Sequence, residues 1–351
     1  MQASISHILP LTMIRRARML PVNGRVLARA GQKVSATDVV AEADVANKHV
    51  ILNIRRALSL SAQEDLQKIV EHRVGDKVQE GDVIAETSGI FKRVVYAPVS
   101  GQIVSISGGQ VLLEAQGECF KLLAGLNGEV AEVIPEQGVI LETHGALIQG
   151  VWGNGKINIG VLFNLAEEAG KELTAEMLDV SMRGAVVLGG HCSSAEVLRI
   201  AMGLPLRGLI LGSMTAELIP VARQVEYPII LTEGFGIYPI NNIAHRILTT
   251  NERRDVCLNA TEWDRYTGDR PEVIIPLPAT GNLAPEIAQF KSGQTVRIKG
   301  ASYNKQAVGV LVEMLPGLTL MPNGLRVPAA NVRLENNEEI NIPLANLDVL
   351  D

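Results

Sequence analysis

Short runs of alternating polar and apolar residues, broken by glycine turns, dominate the first part of the chain. Gly75-Asp76 and Gly81-Asp82 are turn pairs six residues apart, and Val78, Val83 and Ala85 supply an apolar face between and beyond them. Glycine accepts φ > 0 and aspartate closes a turn with its own side chain, so the stretch predicts strand, turn, strand. Ala97-Pro98 enters a further strand, Ser100-Gly101 turns it, and Gln102 to Ile106 alternates as a half-buried strand does. The pattern recurs from Val22 to Glu42, from Ser100 to Glu114 and from Asn127 to Glu142. A recurring turn–strand–turn unit predicts a closed or sandwiched β body, where pairing removes exposed edges. Residues about 53–72 interrupt it with a helical pattern. There Ser61 and Glu64 stand in capping-box spacing, and Leu58, Leu60, Leu66, Ile69 and Val70 are placed to cover one opening.

Past residue 150 the texture changes. Val151–Lys156 is a glycine-rich turn, Ile157–Phe163 a strand, and Glu167–Asp179 a charged, mostly helical connector. From 184 onward apolar runs alternate with helical segments. Strands are expected over Gly184–Leu188, Leu206–Leu211 and Pro228–Leu231, with helices from Ser193/Ser194 to Met202, from Thr215 to Val225 and from Pro239 to about Thr250. Such alternation predicts a parallel sheet buried on both faces. Residues 291–351 return to short strands: Ser292–Ile298 as a turn plus an alternating strand, then Val308–Val312, Ala330–Glu335, Ile340–Pro343 and Asn346–Leu350.

The residues Gly75–Glu86 with Ala97–Val104 resemble the biotinyl/lipoyl-type barrel-sandwich hybrid. That fold family includes carrier domains, fusion proteins of efflux systems, the hybrid domain of an Rnf-type electron-transport subunit and hybrid barrels of RNA polymerase. Its carrier members attach a cofactor to a hairpin-tip lysine flanked by Met or Asp-Lys-Ala. Here the tip reads Thr87-Ser88-Gly89-Ile90-Phe91-Lys92-Arg93, so the resemblance implies no covalent cofactor at Lys92. Ala195–Leu198, Gly208–Leu211 and Pro228–Thr232 resemble a DRTGG-type α/β module. The Gly293-x-x-Val296-Arg297-Ile298 opening and the Val308-Gly309-Val310 step resemble an SH3-like barrel of the KOW type, whose members often meet RNA or RNA polymerase. The modules in this order resemble a bacterial family with no assigned activity.

The resulting fold class is multidomain α/β and all-β. It comprises a hybrid over 1–125, a β-rich connecting region over 126–182, a parallel α/β module over 183–280 and an SH3-like barrel over 286–351. A chain of 351 residues that is 47% hydrophobic can hold several cores. Aromatic residues are only 3%, which disfavours stacking platforms for bases or sugars, and the net charge of −6 disfavours general nucleic-acid binding. Arg15, Arg16, Arg18, Arg25 and Arg29 follow the apolar run Ile8–Ile14, the wrong order for a secretory signal. No apolar run approaches the ~18 residues of a membrane span. Cys119, Cys192 and Cys257 lack paired spacing, which suits a reducing, cytoplasmic setting, and the six histidines show no metal-ligand spacing.

Ligands of open parallel sheets sit beyond the C-terminal ends of the strands. Three loops are expected there: Gly189-Gly190-His191-Cys192-Ser193-Ser194, Gly212-Ser213-Met214-Thr215 and Thr232-Glu233-Gly234-Phe235-Gly236. The glycines permit close backbone approach, a helix start at Ser193/Ser194 favours an anion, Cys192 there is expected to have a lowered pKa, and Glu233 offers a carboxylate opposite. Turn and cap chemistry explains the same residues without a ligand. No complete catalytic set stands anywhere, so the leading expectation is a non-catalytic binding or scaffolding protein with a protein partner. Alternatives are a regulator or enzyme binding an anionic small molecule at these loops, and an RNA- or polymerase-associated factor using the C-terminal barrel and the arginine-rich N-terminal arm.

Overall fold

The computed structural model describes residues 2–45, 48–61, 69–87, 92–264, 268–284, 288–299, 308–334 and 336–350. Glu64 and Leu66 of the expected capped helix, and the hairpin tip 88–91, lie outside them. The protein is mostly β, with 48% strand against 13% helix.

The hybrid segment is built twice, one copy inside the other. The outer copy runs from Ile8 to Val45 and resumes at Glu118 through the strand Gly138–Gln149. The inner copy, His49 to Ala115, is spliced into the far end of the hairpin made by Val39–Val45 and Glu118–Leu123. Gly31–Glu42 and Gly75–Glu86 align with Gly, Lys, Val, Asp, Val, Ala and Glu at equal places. Their bonding is equal too. Gly31 N–H donates to Val130 O and Gly75 N–H to Ile103 O, both at 2.8 Å. Asp38 and Asp82 each cap their turn by accepting from the backbone N–H of Ser35 and Gln79, at 2.8 and 2.7 Å. Val34 pairs with Gly128 as Val78 pairs with Gly101. The inner copy has its own core, including Ile84, Ile103, Val111 and Leu113. Its helix is a short one, Ile54–Leu58, capped by Asn53 and ended by Ser59 in the left-handed region.

The outer copy continues directly into the central sheet. Gly138–Gln149 pairs with Ile8–Met19 along one edge, and with Gly128–Ile134 and Glu272–Pro276 along the other. The sheet has 11 strands. Within it Ile157–Asn164, Ala185–Cys192, Gly208–Met214 and Ile229–Phe235 pair in parallel, and Asp255–Asn259 and Glu272–Pro276 pair antiparallel. Helices Ala195–Gly203 and Ile219–Gln224 cover one face over a core that includes Val187, Leu209 and Leu231. Helix Asn242–Thr250 covers the other, over Val186, Ile210 and Ile230. Every residue of Ala185–Cys192 and Gly208–Met214 is buried, which is why those runs read as continuously apolar.

Three assignments change. Residues 126–182 are not a connector, because their strands belong to the central sheet. Glu167–Asp179 is not a helix: Lys171–Leu173 runs extended beside His191, and only Ala175–Met177 makes a 3-10 turn. The first strand does not belong to the hybrid. Gln2–Ser6 pairs in parallel with Leu347–Leu350 and antiparallel with Ala288–Gln289, inside the seven-stranded C-terminal sheet. The two ends of the chain therefore share one hydrogen-bond ladder, over a core that includes Val296, Leu311, Val332 and Ile342.

Candidate functional site

The expected site lies at the C-terminal edge of the parallel strands, where the chain itself closes over it. His191 stands beside Ser213, and Ser213 beside Gly234, in neighbouring strands. The backbone of Lys171 takes the space next to Gly190: a Cβ at that glycine would meet Lys171 O at 2.3 Å. At Gly189 a Cβ would meet Leu173 and Leu211, and at Gly212 it would meet Ile240 at 2.8 Å. These glycines admit the protein's own segments, 170–173 and 238–240. Gly234 and Gly236 have φ of 114° and 127°, which only glycine adopts freely, and the Tyr238 ring packs against Gly236.

His191 and Ser213 are brought into contact, with Nδ1 3.0 Å from Oγ. The hydroxyl's one proton goes to Tyr238 O at 2.9 Å, and Oγ also accepts from Tyr238 N–H at 2.9 Å. That inventory assigns the imidazole proton to Nδ1, donating to Ser213. The histidine is thus not a base toward this serine, and the hydroxyl holds a loop. His191 Nε2 is left buried without a hydrogen-bond partner among the described residues.

Cys192 is fully buried. Burial pushes its thiol up to about 11, against the lowering expected at a helix start: the sulfur is packed into the apolar core and meets the Ser194 backbone, donating to its carbonyl at 3.6 Å, but that contact lowers the pKa by less than burial raises it. Ser193 is exposed and donates to Glu172. Ser194 is the N-cap, accepting from Glu196 N–H at 3.2 Å.

Glu233 does not face Cys192. Its Oε1 accepts from Asn241 N–H at 3.0 Å, and its Oε2 lies 3.0 Å from Nη2 of Arg297 on the C-terminal sheet. The glutamate side chain is 7% exposed and the arginine 1%. Arg297 Nε and Nη1 have no hydrogen-bond partner among the described residues, and the Nη2 contact is an ion pair without a well-aligned hydrogen bond. Arg297 was missing from the expected site. Its only local signal is a charge inside an otherwise apolar strand, Thr295–Ile298, whose last three residues are all buried.

The arginine cluster near the N-terminus is not a free arm. Arg16 pairs with buried Glu272 at 2.6 Å, and Arg18 Nε donates to Ala124 O at 2.9 Å. Burial alone would raise the Glu272 pKa, but the Arg16 charge and hydrogen bond, helped by Arg18 and Gln149, hold it below the usual range. Arg15 and Arg25 are exposed, each beside a glutamate. Lys92 is exposed and donates to Glu86, which raises its pKa. Among the described residues no group of three or more His, Cys, Asp or Glu is placed to hold a metal ion, and no helix is long and apolar enough to cross a membrane.

A family model described as the RnfC barrel sandwich hybrid domain matches residues 23–125. The segment contains the inner copy whole and residues 23–45 and 118–125 of the outer one, under a third of the chain. A search of curated proteins finds no match.

Proposed function

We propose that the chain is a non-catalytic binding or scaffolding protein acting on a protein partner in the cytoplasm. In this reading its parts are the hybrid, a parallel α/β module that joins Ile157–Asn164 to the strands and helices of 183–280, and an SH3-like C-terminal barrel. One observation carries the reading: at the expected ligand edge, glycines, hydroxyls and the glutamate are all engaged by the chain's own segments. A thermal-shift screen against nucleotides, phosphorylated metabolites and acyl carriers tests it. No shift is expected. A ligand at 100 times its Kd would add about 2.7 kcal/mol, so a real site is readily seen. A hit abolished by Ser193→Ala would make the ligand-responsive regulator or enzyme primary.

A second reading, a subunit of an Rnf-type electron-transport system, is favoured by the match over 23–125. Its test is a redox titration of the protein purified from its source, where a reversible optical change would support it. The RNA-associated reading is weakened by Arg16 and Arg18, which are engaged inside the protein. RNA binding that falls steeply with salt would restore it.

A further inference from the structure

Two grooves of the protein fall at equivalent places in the two nested copies. The outer groove holds about 700 Å³ and the inner about 550 Å³. Lys33, Ser35, Asn127, Gly128, Glu129 and Glu142 line the outer one. Lys77, Gln79, Ser100, Gly101, Gln102 and Glu114 line the inner one, in the same order. The correspondence extends to the supports. Asn127 Oδ1 accepts from Ala36 N–H and Ser100 Oγ from Glu80 N–H, both at 2.9 Å. Glu142 pairs with Arg15 at 3.3 Å, and Glu114 stands 3.4 Å from His49. Glycine is required in both because a Cβ would meet a carbonyl of the neighbouring strand, 2.3 Å away at Gly128 and 2.1 Å at Gly101.

Lysine and glutamate are the charged groups common to both grooves. In the outer copy Glu142, Glu129 and Lys33 are successive cross-strand partners; in the inner copy they are Glu114, Gln102 and Lys77. The backbones that carry the lysine and the glutamate are thus two strand spacings apart, about 10 Å. Lys33 and Lys77 are both exposed. Among the described residues neither has an ion-pair partner. An extended tripeptide also spans about 10 Å between its termini.

We infer that the two grooves are one binding site present twice, each taking a short extended peptide with its carboxylate on the lysine and its ammonium on the glutamate. The amide and hydroxyl wall, Ser35 with Asn127 or Gln79 with Ser100, serves the peptide groups between. Each groove carries one further carboxylate, Glu129 in the outer and Asp44 in the inner. The two sites therefore have the same count of lysines and acids and should bind with similar affinity. The inference deepens the binding reading above by naming what these surfaces take.

Calorimetric titration with tri-alanine, and with its N-acetylated, C-amidated form, tests it on the full chain. The expected result is two sites per chain, each near 1 mM or below. Lys77→Glu and Lys33→Glu should each remove one of the two sites. Both residues are exposed and outside the cores, so the variants should keep the wild-type circular dichroism. Blocking both peptide ends should weaken binding about tenfold or more. Absence of saturable binding by the wild type, equal binding of the blocked peptide, or unchanged titrations in folded Lys77→Glu would overturn the inference. None of these results would touch the scaffold reading, whose failure is a ligand at the strand edge.

Discussion

Removing the Glu233 carboxylate would leave Arg297 charged, 1% exposed and without its counter-ion. Breaking a buried pair from one side costs about 3–5 kcal/mol, because the remaining charge has lost both water and partner. Asn241 N–H also loses its acceptor, but that residue is partly exposed and water can replace the carboxylate. The cost of Glu233→Ala therefore rests almost wholly on Arg297. Replacing both, as Glu233→Leu with Arg297→Met, removes the desolvation cost together with the attraction, and such swaps are often neutral or stabilising. A single unfolding free energy is ill-defined for a chain with several cores, so local opening is the better readout. In Glu233→Ala, amides of Thr295–Ile298 and Ile229–Phe235 should exchange with deuterium several hundredfold faster, the equivalent of about 3–5 kcal/mol. In the double variant they should return near wild type. Exchange in Glu233→Ala within about threefold of wild type, or a double variant as fast as the single, would refute the argument that this pair holds the C-terminal sheet on the strand edge.

Other outcomes follow from the same physics. Native protein should react with a thiol reagent at exposed Cys119 alone, since burial pushes Cys192 up to about 11 and Cys257 to about 12; mass spectrometry of labelled peptides checks this, and rapid labelling of native Cys192 would contradict it. Glu272, whose pKa is lowered in the fold, adds stability that is present above its unfolded value and lost as pH falls through the folded one. Glu272→Gln should therefore lower stability at pH 7 and flatten the acid limb of a stability–pH curve, and an unchanged acid limb would count against the Arg16 pair. Gly101→Ala and Gly128→Ala should each destabilise their own copy by about 1–3 kcal/mol, read as exchange confined to the inner or the outer hybrid respectively. Equal loosening of both copies by either variant would show that they are not separate units.

What the sequence determined by itself is local. The turns at Gly31, Gly75 and Gly81, the capping aspartates and the Ser194 cap are set by a few adjacent residues, and they form where the pattern places them. The buried strands of the central sheet were legible because burial on both faces leaves no polar alternation. The recurring turn units were visible as well, but their nesting was not. Val34 meets Gly128 only after the chain has completed the whole inner copy, so no window of sequence contains the pair. The extended path of Lys171–Leu173 hides for the same reason. Its charges suit an exposed helix, and its conformation comes from the backbone of His191. His191, Ser213 and Gly234 do stand in neighbouring strands, yet what the residues of that edge contact was decided elsewhere. Arg297 lies 64 residues beyond Glu233, and the strand that carries it is held in a sheet whose ladder joins residues 4–6 to 348–350. Tertiary packing decides such contacts because a charge in an apolar strand can be exposed or buried with equal local geometry. Only the second surface laid against it selects between water and a counter-ion.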